Sequence, residues 1–190
     1  MTPGLFLALA LLGHSSAEQG ILLEIRAFDG VTDVSEASRV IVHRAGERER
    51  PVGQIGAGAG RTVKVPPGIY DAQAIHEVAG RVVNIRWAER LVVMPYPDEA
   101  GHHLEVINYQ SGYGALEVRG GNARAPAADV ALFAPKDHTQ PAGAPMVTAT
   151  YALFVLRAGV YDIFVKRGAK GIWHPGVDVP LDRTRLWIVP

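Results

Sequence analysis

The 190-residue chain has no cysteine. Disulfides, thiolate nucleophiles, zinc–cysteine sites, iron–sulfur clusters and a lipid-modified cysteine behind a leader are therefore excluded. It also has no surplus of either charge, with Lys+Arg 19 against Asp+Glu 19. Binding to nucleic acid rests on neutralising phosphates with a basic surface, and interspersed charges that cancel supply none. Nucleic acid is not an expected partner. No apolar run reaches the roughly 20 residues of a membrane-spanning helix. No stretch of a dozen residues combines helical periodicity with freedom from Gly and Pro. What is present is 48% hydrophobic residues, enough for packed cores, and 21 glycines with 13 prolines to punctuate them.

Residues 1–17 carry no Lys, Arg, Asp or Glu, and positions 5–12 are an uninterrupted apolar run that stops at Gly13. Ser15, Ser16 and Ala17 then offer the small residues that a signal peptidase accepts. A signal peptide over 1–17 is expected, with Glu18 as the first mature residue. The expectation that follows is an exported protein, periplasmic or extracellular, with no membrane span once the leader is removed.

Beyond Glu18 the apolar residues recur with period two. Ile21, Leu23 and Ile25 alternate with Leu22, Glu24 and Arg26, and Val83, Ile85 and Trp87 alternate with Val82, Asn84 and Arg86. That period places one set on a core and the other in water. Short strands separated by turns such as Asp29-Gly30, Pro66-Pro67-Gly68 and Ala79-Gly80 predict an all-β chain. The second half also repeats the first in the same order. Gly20-Ile21-Leu22-Leu23-Glu24-Ile25-Arg26 returns as Gly114-Ala115-Leu116-Glu117-Val118-Arg119, and Pro67-Gly68-Ile69-Tyr70-Asp71 as Ala158-Gly159-Val160-Tyr161-Asp162. Val40-Ile41-Val42 is echoed by Val130-Ala131-Leu132, Trp87 by Trp173, and Leu104-Glu105-Val106-Ile107 by Leu186-Trp187-Ile188-Val189. The reading is a duplicated module, residues 18–109 and 110–190, joined at Tyr109-Gln110-Ser111-Gly112-Tyr113.

The shared Gly-x-Tyr-Asp unit assigns structural work to Gly68, Tyr70, Gly159 and Tyr161. Glycine allows the turn, and a buried tyrosine ring brings apolar area while its hydroxyl ties the corner to nearby backbone. Trp87 and Trp173, equivalent in the two copies, are expected in the cores. Val65-Pro66-Pro67-Gly68-Ile69-Tyr70-Asp71, behind an opening strand and a Val-x-Val strand, resembles the turn of bacterial extracytoplasmic β-sandwich modules. These are the transthyretin-like carboxypeptidase regulatory-like domains and related immunoglobulin-like repeats. The resemblance implies two tandem seven-strand antiparallel sandwiches with no chemistry of their own, serving as spacers, accessory domains or binding surfaces.

Candidate chemistry is sparse. Asp98, His102 and His103 are the residues with metal-ligand character, but neighbouring side chains of an extended chain point to opposite faces, so a solvated hairpin loop is the preferred reading. Asp29, Asp33 and Glu36 have calcium-like composition without the alternating spacing of a calcium loop. The glycine-rich segment 53–60 leads into a strand rather than the helix that a phosphate loop needs. None of the serines stands in a Gly-x-Ser-x-Gly elbow, and His174 is assigned to a turn. No cofactor is expected. Tyr96, Tyr109, Tyr113 and Trp187 are the aromatics assigned to an exposed binding surface around the joint.

The function expected from the sequence is thus an exported, non-enzymatic binding, adaptor or structural module with an envelope or secreted protein as partner. The alternative is a small carbohydrate-binding or metal-binding module. An adaptor predicts an exposed sheet edge or apolar patch, and a sugar binder predicts an exposed aromatic row.

Overall fold

In a computed structural model of the protein, the structure describes residues 20–58, 60–95, 101–120, 129–167 and 169–190. The chain is almost entirely strand, with a 3₁₀ turn at Ser35–Ala37. The first module comprises β1 (Ile21–Asp29), β2 (Thr32–Asp33), β3 (Ser38–Arg44), β4 (Pro51–Ile55), β5 (Thr62–Val65), β6 (Gly68–Val78), β7 (Arg81–Val93) and β8 (His102–Asn108). The second comprises β9 (Tyr113–Arg119), β10 (Val130–Ala134), β11 (Asp137–Pro141), β12 (Met146–Val147), β13 (Ala152–Arg157), β14 (Gly159–Arg167), β15 (Lys170–Val179) and β16 (Thr184–Ile188).

Both modules distribute their strands in the same way. In the first, β1 pairs with β5 and β2 on one side and β8 on the other, while β4-β3-β6-β7 form the facing sheet. In the second, β12-β13-β9-β16 face β11-β10-β14-β15. The closing strand of each runs parallel to its opening strand, Ile25 opposite Glu105 and Leu186 opposite Glu117, and the other pairings are antiparallel. The sequence echoes fall on topologically equivalent strands, so the duplication is a duplication of structure.

Each sandwich encloses its own core. Ile21, Leu23 and Ile25 of β1 meet Val40, Val42, Tyr70, Ala72 and Leu91. Leu116 and Val118 of β9 meet Leu132, Phe154, Ile163 and Val177. A third cluster lies between the modules, where Phe28, Leu104 and Val106 pack on Ala115, Tyr151, Leu153 and Val155. The sheet of β1 thus stacks on the sheet of β9, and the molecule is four sheets deep.

This stacking corrects the expected placement of the alternate residues of β1. Glu24, assigned to water by its period, is only 7% exposed, and Glu117 and Arg119 of β9 are buried as well. A strand in an inner layer is covered on both faces, so period two marks which layer a residue meets rather than whether it is wet. The apolar run from Tyr151 to Leu156 has the same origin.

Candidate binding surfaces

The Gly-x-Tyr-Asp turns fix the outer edge of each sandwich. Tyr70 is fully buried and its hydroxyl donates to the carbonyl of Pro66 at 2.6 Å; Tyr161 repeats the bond to Arg157 at 2.8 Å. The aspartate that follows has a role the sequence analysis did not assign. Asp71 accepts the backbone N–H of Gly46 at 3.2 Å and of Arg90 at 2.9 Å. Asp162 accepts those of Lys136 and of Gly176, the latter at 3.0 Å. All four donors have left-handed backbone, with φ of 82°, 55°, 65° and 74° for Gly46, Arg90, Lys136 and Gly176. Each aspartate therefore holds one tight turn and one β-bulge of the outer sheet by their amides. Burial opposes ionisation of Asp71, but the amides of Arg90 and Gly46 and the guanidinium of Arg48 outweigh it and hold its pKa below the usual carboxylate range. The pKa of Asp162 is lowered first by the His138 imidazole and then by the Gly176 amide.

The β3–β4 hairpin and its counterpart β10–β11 each carry a ring-stacking side chain onto the tryptophan. Arg48 lies 4.3 Å from the centre of the Trp87 ring and pairs with Asp71 and Glu89. His138 donates to Asp162 at 2.8 Å and stacks on Trp173, 3.9 Å between centroids at 14°. This corrects the expectation that the tryptophans are core. Both lie on the outer face, Trp87 half-buried and Trp173 41% exposed. Their equivalence in sequence reflects an equivalent surface position.

The aromatics assigned to the joint occupy other environments. Tyr109 is buried in the first core and donates to Ser38 Oγ at 3.2 Å. Tyr113 packs on the inter-module cluster beneath Arg157. Trp187, expected to point outward, packs against the second core with its ring edge toward His174. They form no exposed row. Tyr96 and Asp98 lie outside the described residues.

His102 and His103 point to opposite faces of β8, as adjacent residues of a strand must. His103 lies between the Met94 carbonyl and the Glu105 carboxylate, both at 3.1 Å. His102 enters the inter-module layer. Arg119 Nη2 donates to its Nδ1 at 2.9 Å, and its Nε2 donates to Glu24 at 3.1 Å. Glu24 also accepts from Arg26 at 2.7 Å and from Tyr151 at 2.8 Å, while Arg119 donates to Glu117 at 2.6 Å. Burial raises the pKa of Glu24, but the bonds from His102 and Tyr151 and the charge of Arg26 prevail and lower it. Burial, reinforced by the Glu24 charge, pushes the Tyr151 phenol up. The Glu-x-Arg pairs of the two opening strands thus meet across the interface. Among the described residues no three His, Asp or Glu side chains converge as a metal site requires. Asp29 accepts from Gln110, and Asp33 bonds Arg26 and the amide of Ser35. The Ser35 and Ser38 hydroxyls bond backbone, and Ser38 also receives Tyr109.

At the junction, a groove of about 540 Å³ runs between β7 and the β15–β16 loop, lined by Trp87, Val106, Leu181 and the Arg86–Asp182 ion pair, 3.0 Å apart. Arg183 crosses it to donate to the Glu89 carbonyl at 2.6 Å. The second module thus occupies the middle of the β7 edge. The β8 edge is occupied too, Val106 N–H donating to Thr184 Oγ1 at 2.8 Å. The segment of β7 from Arg81 to Ile85 continues past this contact with its residues exposed, Val83 by 56% and Ile85 by 51%.

Neither a protein-family model nor a curated protein matches the chain. Solved structures with similarity include the TIE protein of Bacillus anthracis, 15% identical with TM-score 0.32, covering 90% of this chain and 33% of that one, so the chain spans about a third of its length. A candidate adhesin of Bacteroides ovatus is 14% identical over 84% of this chain and 82% of its own, with TM-score 0.29. A candidate cell-adhesion protein of the same species is 10% identical over 90% and 91%, with TM-score 0.28.

Proposed function

We propose that the chain is an exported, non-enzymatic binding protein that engages an envelope or secreted protein through the free edge of β7. The observation carrying this reading is the state of that edge. Natural sheets blunt their edges with proline, inward charge, bulges or cover, because an open row of N–H and C=O groups templates pairing with another chain. The counterpart β15 is interrupted by Pro175 and by Gly176 with φ 74°. In β7 no proline interrupts the thirteen residues, and its two bulges fall at Val83 and at Glu89–Arg90, leaving Arg81–Val82 and Asn84–Ala88 as regular stretches. Its free end nevertheless carries Val82, Val83 and Ile85 in water, apolar surface beside open main-chain groups, and an added strand uses such an edge with main-chain bonds for affinity and side-chain contacts for specificity.

Of the two sandwich kinds resembled, we assign the transthyretin-like one. In an immunoglobulin sandwich the first, second, fourth and fifth main strands share a sheet, whereas here β1 shares its sheet with β5 and β8, and β3 lies opposite with β6. Export predicts a mature N-terminus at Glu18, read by sequencing the protein recovered outside the cytoplasm.

The edge is tested by cross-linking intact cells and recovering the protein. A discrete partner adduct is expected from the wild type and is expected to be lost in the Val83→Lys/Ile85→Lys variant at unchanged melting temperature. An adduct unaffected by those lysines would overturn the assignment.

A further inference from the structure

We infer that the outer face of the second module is a carbohydrate site, on which a pyranose ring packs against the stacked pair that His138 forms over Trp173. This goes beyond the β7 reading and rests on different residues. Four rings share this face. Phe133 meets Trp173 edge-on at 5.2 Å, Phe164 lies 4.8 Å away, and His138 is stacked at 3.9 Å. Trp173 and the His138 side chain are the outermost members, 41% and 40% exposed.

The platform is held in place before any ligand arrives. Asp162 fixes the His138 imidazole, and Asp162 is itself fixed by the Gly176 amide. The Phe164 ring rests directly on Gly171, where a Cβ would come within 1.9 Å of Cζ. Only glycine admits that approach, so the ring beneath Trp173 is seated by the backbone. A rigid aromatic anchor binds without the entropy cost of ordering a flexible side chain.

The chemistry around the rings selects the ligand class. An aromatic face is the negative end of a quadrupole and attracts the weakly positive C–H groups of a pyranose face. At the border lies β11, whose residues Asp137, His138, Thr139 and Gln140 are all exposed and offer donors and acceptors to hydroxyl groups at the ring edge. A protein partner would call for apolar surface continuing over several hundred Å². Here polar β11 borders the rings on one side, and a small aromatic platform beside hydrogen-bonding groups suits one or two sugar units. On the equivalent face of the first module the group over Trp87 is the charged Arg48 guanidinium, where the second module presents the His138 ring.

The test is calorimetric titration of the mature protein with hexaoses of β-1,4-linked glucose, N-acetylglucosamine and mannose. At least one hexaose is expected to bind saturably near one to one. Trp173→Ala and His138→Ala are each expected to weaken binding at least tenfold, Trp173→Phe to retain part of it, and Trp87→Ala to leave it unchanged. Near-ultraviolet circular dichroism of each variant checks the fold. No saturable heat from any hexaose, or wild-type affinity in Trp173→Ala, would overturn the inference. The Val83→Lys/Ile85→Lys variant is expected to bind sugar normally, so failure of this site and failure of the β7 edge are separately visible.

Discussion

Asp71 and Asp162 show how one residue type can hold a duplicated architecture together. Each satisfies amides of two left-handed residues, and the copies divide the glycines oppositely: glycine at Gly46 but Lys136 in the second copy, and glycine at Gly176 but Arg90 in the first. A side chain in left-handed backbone costs about 1–2 kcal/mol, partly offset by the chain freedom that glycine adds to the unfolded state. Arg90→Gly is therefore expected to raise stability by about 0.5–1 kcal/mol in urea unfolding. Removing one hydroxyl bond at each corner should separate the copies. Tyr70→Phe, whose bond is shielded, should cost about 1 kcal/mol, and Tyr161→Phe, whose bond is solvent-exposed, less. Because Asp71, Asp162 and Glu24 all have lowered pKa values in the folded state, their stabilisation is full above the ordinary carboxylate range and is lost as pH falls from that range through their lowered folded-state values. Unfolding free energy should drop on acidification from about pH 5 to 2, and the drop should be shallower in Asp71→Asn. The tyrosine corner was legible because turn and ring stand adjacent in sequence. The aspartate's work was not, because its partners arrive from the turn of a neighbouring hairpin and from a bulge in the strand paired with its own.

Among the elements, the inner-layer strands have the least latitude. At Gly114, the second residue of β9, a Cβ would lie 1.8 Å from the Pro180 carbonyl oxygen. Backbone cannot yield as a side-chain tip can, so Gly114→Ala is expected to cost about 1–3 kcal/mol or more, measured by thermal unfolding against Gly60→Ala, where a Cβ meets nothing within 4 Å. Strand existence and order were legible from period two. What each face meets was not, since Glu24 and Arg26 have the composition of a wet face and become an interface only because Glu117, Arg119 and Tyr151 face them. The tryptophans misled for a related reason. Equivalence between copies predicts core packing, whereas the shared feature is a stacking partner from the neighbouring hairpin, Arg48 in one and His138 in the other.

For the whole molecule, the interface between modules combines an apolar cluster with charges that cannot be left alone. Glu24→Ala would remove the shared acceptor of Arg26, His102 and the Tyr151 hydroxyl in a half-buried layer, and removing one partner of a buried pair costs about 3–5 kcal/mol. The expected outcome is a loss at the lower end of that range, because Arg26 retains Asp33. Unfolding of the wild type should remain a single transition by calorimetry, since Phe28, Leu104, Leu153 and Val155 are shared by both halves. With the modules fixed in this way, the second module occupies the middle of β7 and leaves its end free. The measurement that tests this arrangement most directly places a photoreactive residue in turn at positions 83, 85 and 64 and irradiates intact cells. Positions 83 and 85 are expected to give the same discrete protein adduct and position 64, on the separate sheet of β5, none. Adducts at all three positions alike, or at none, would contradict an interface on the β7 edge.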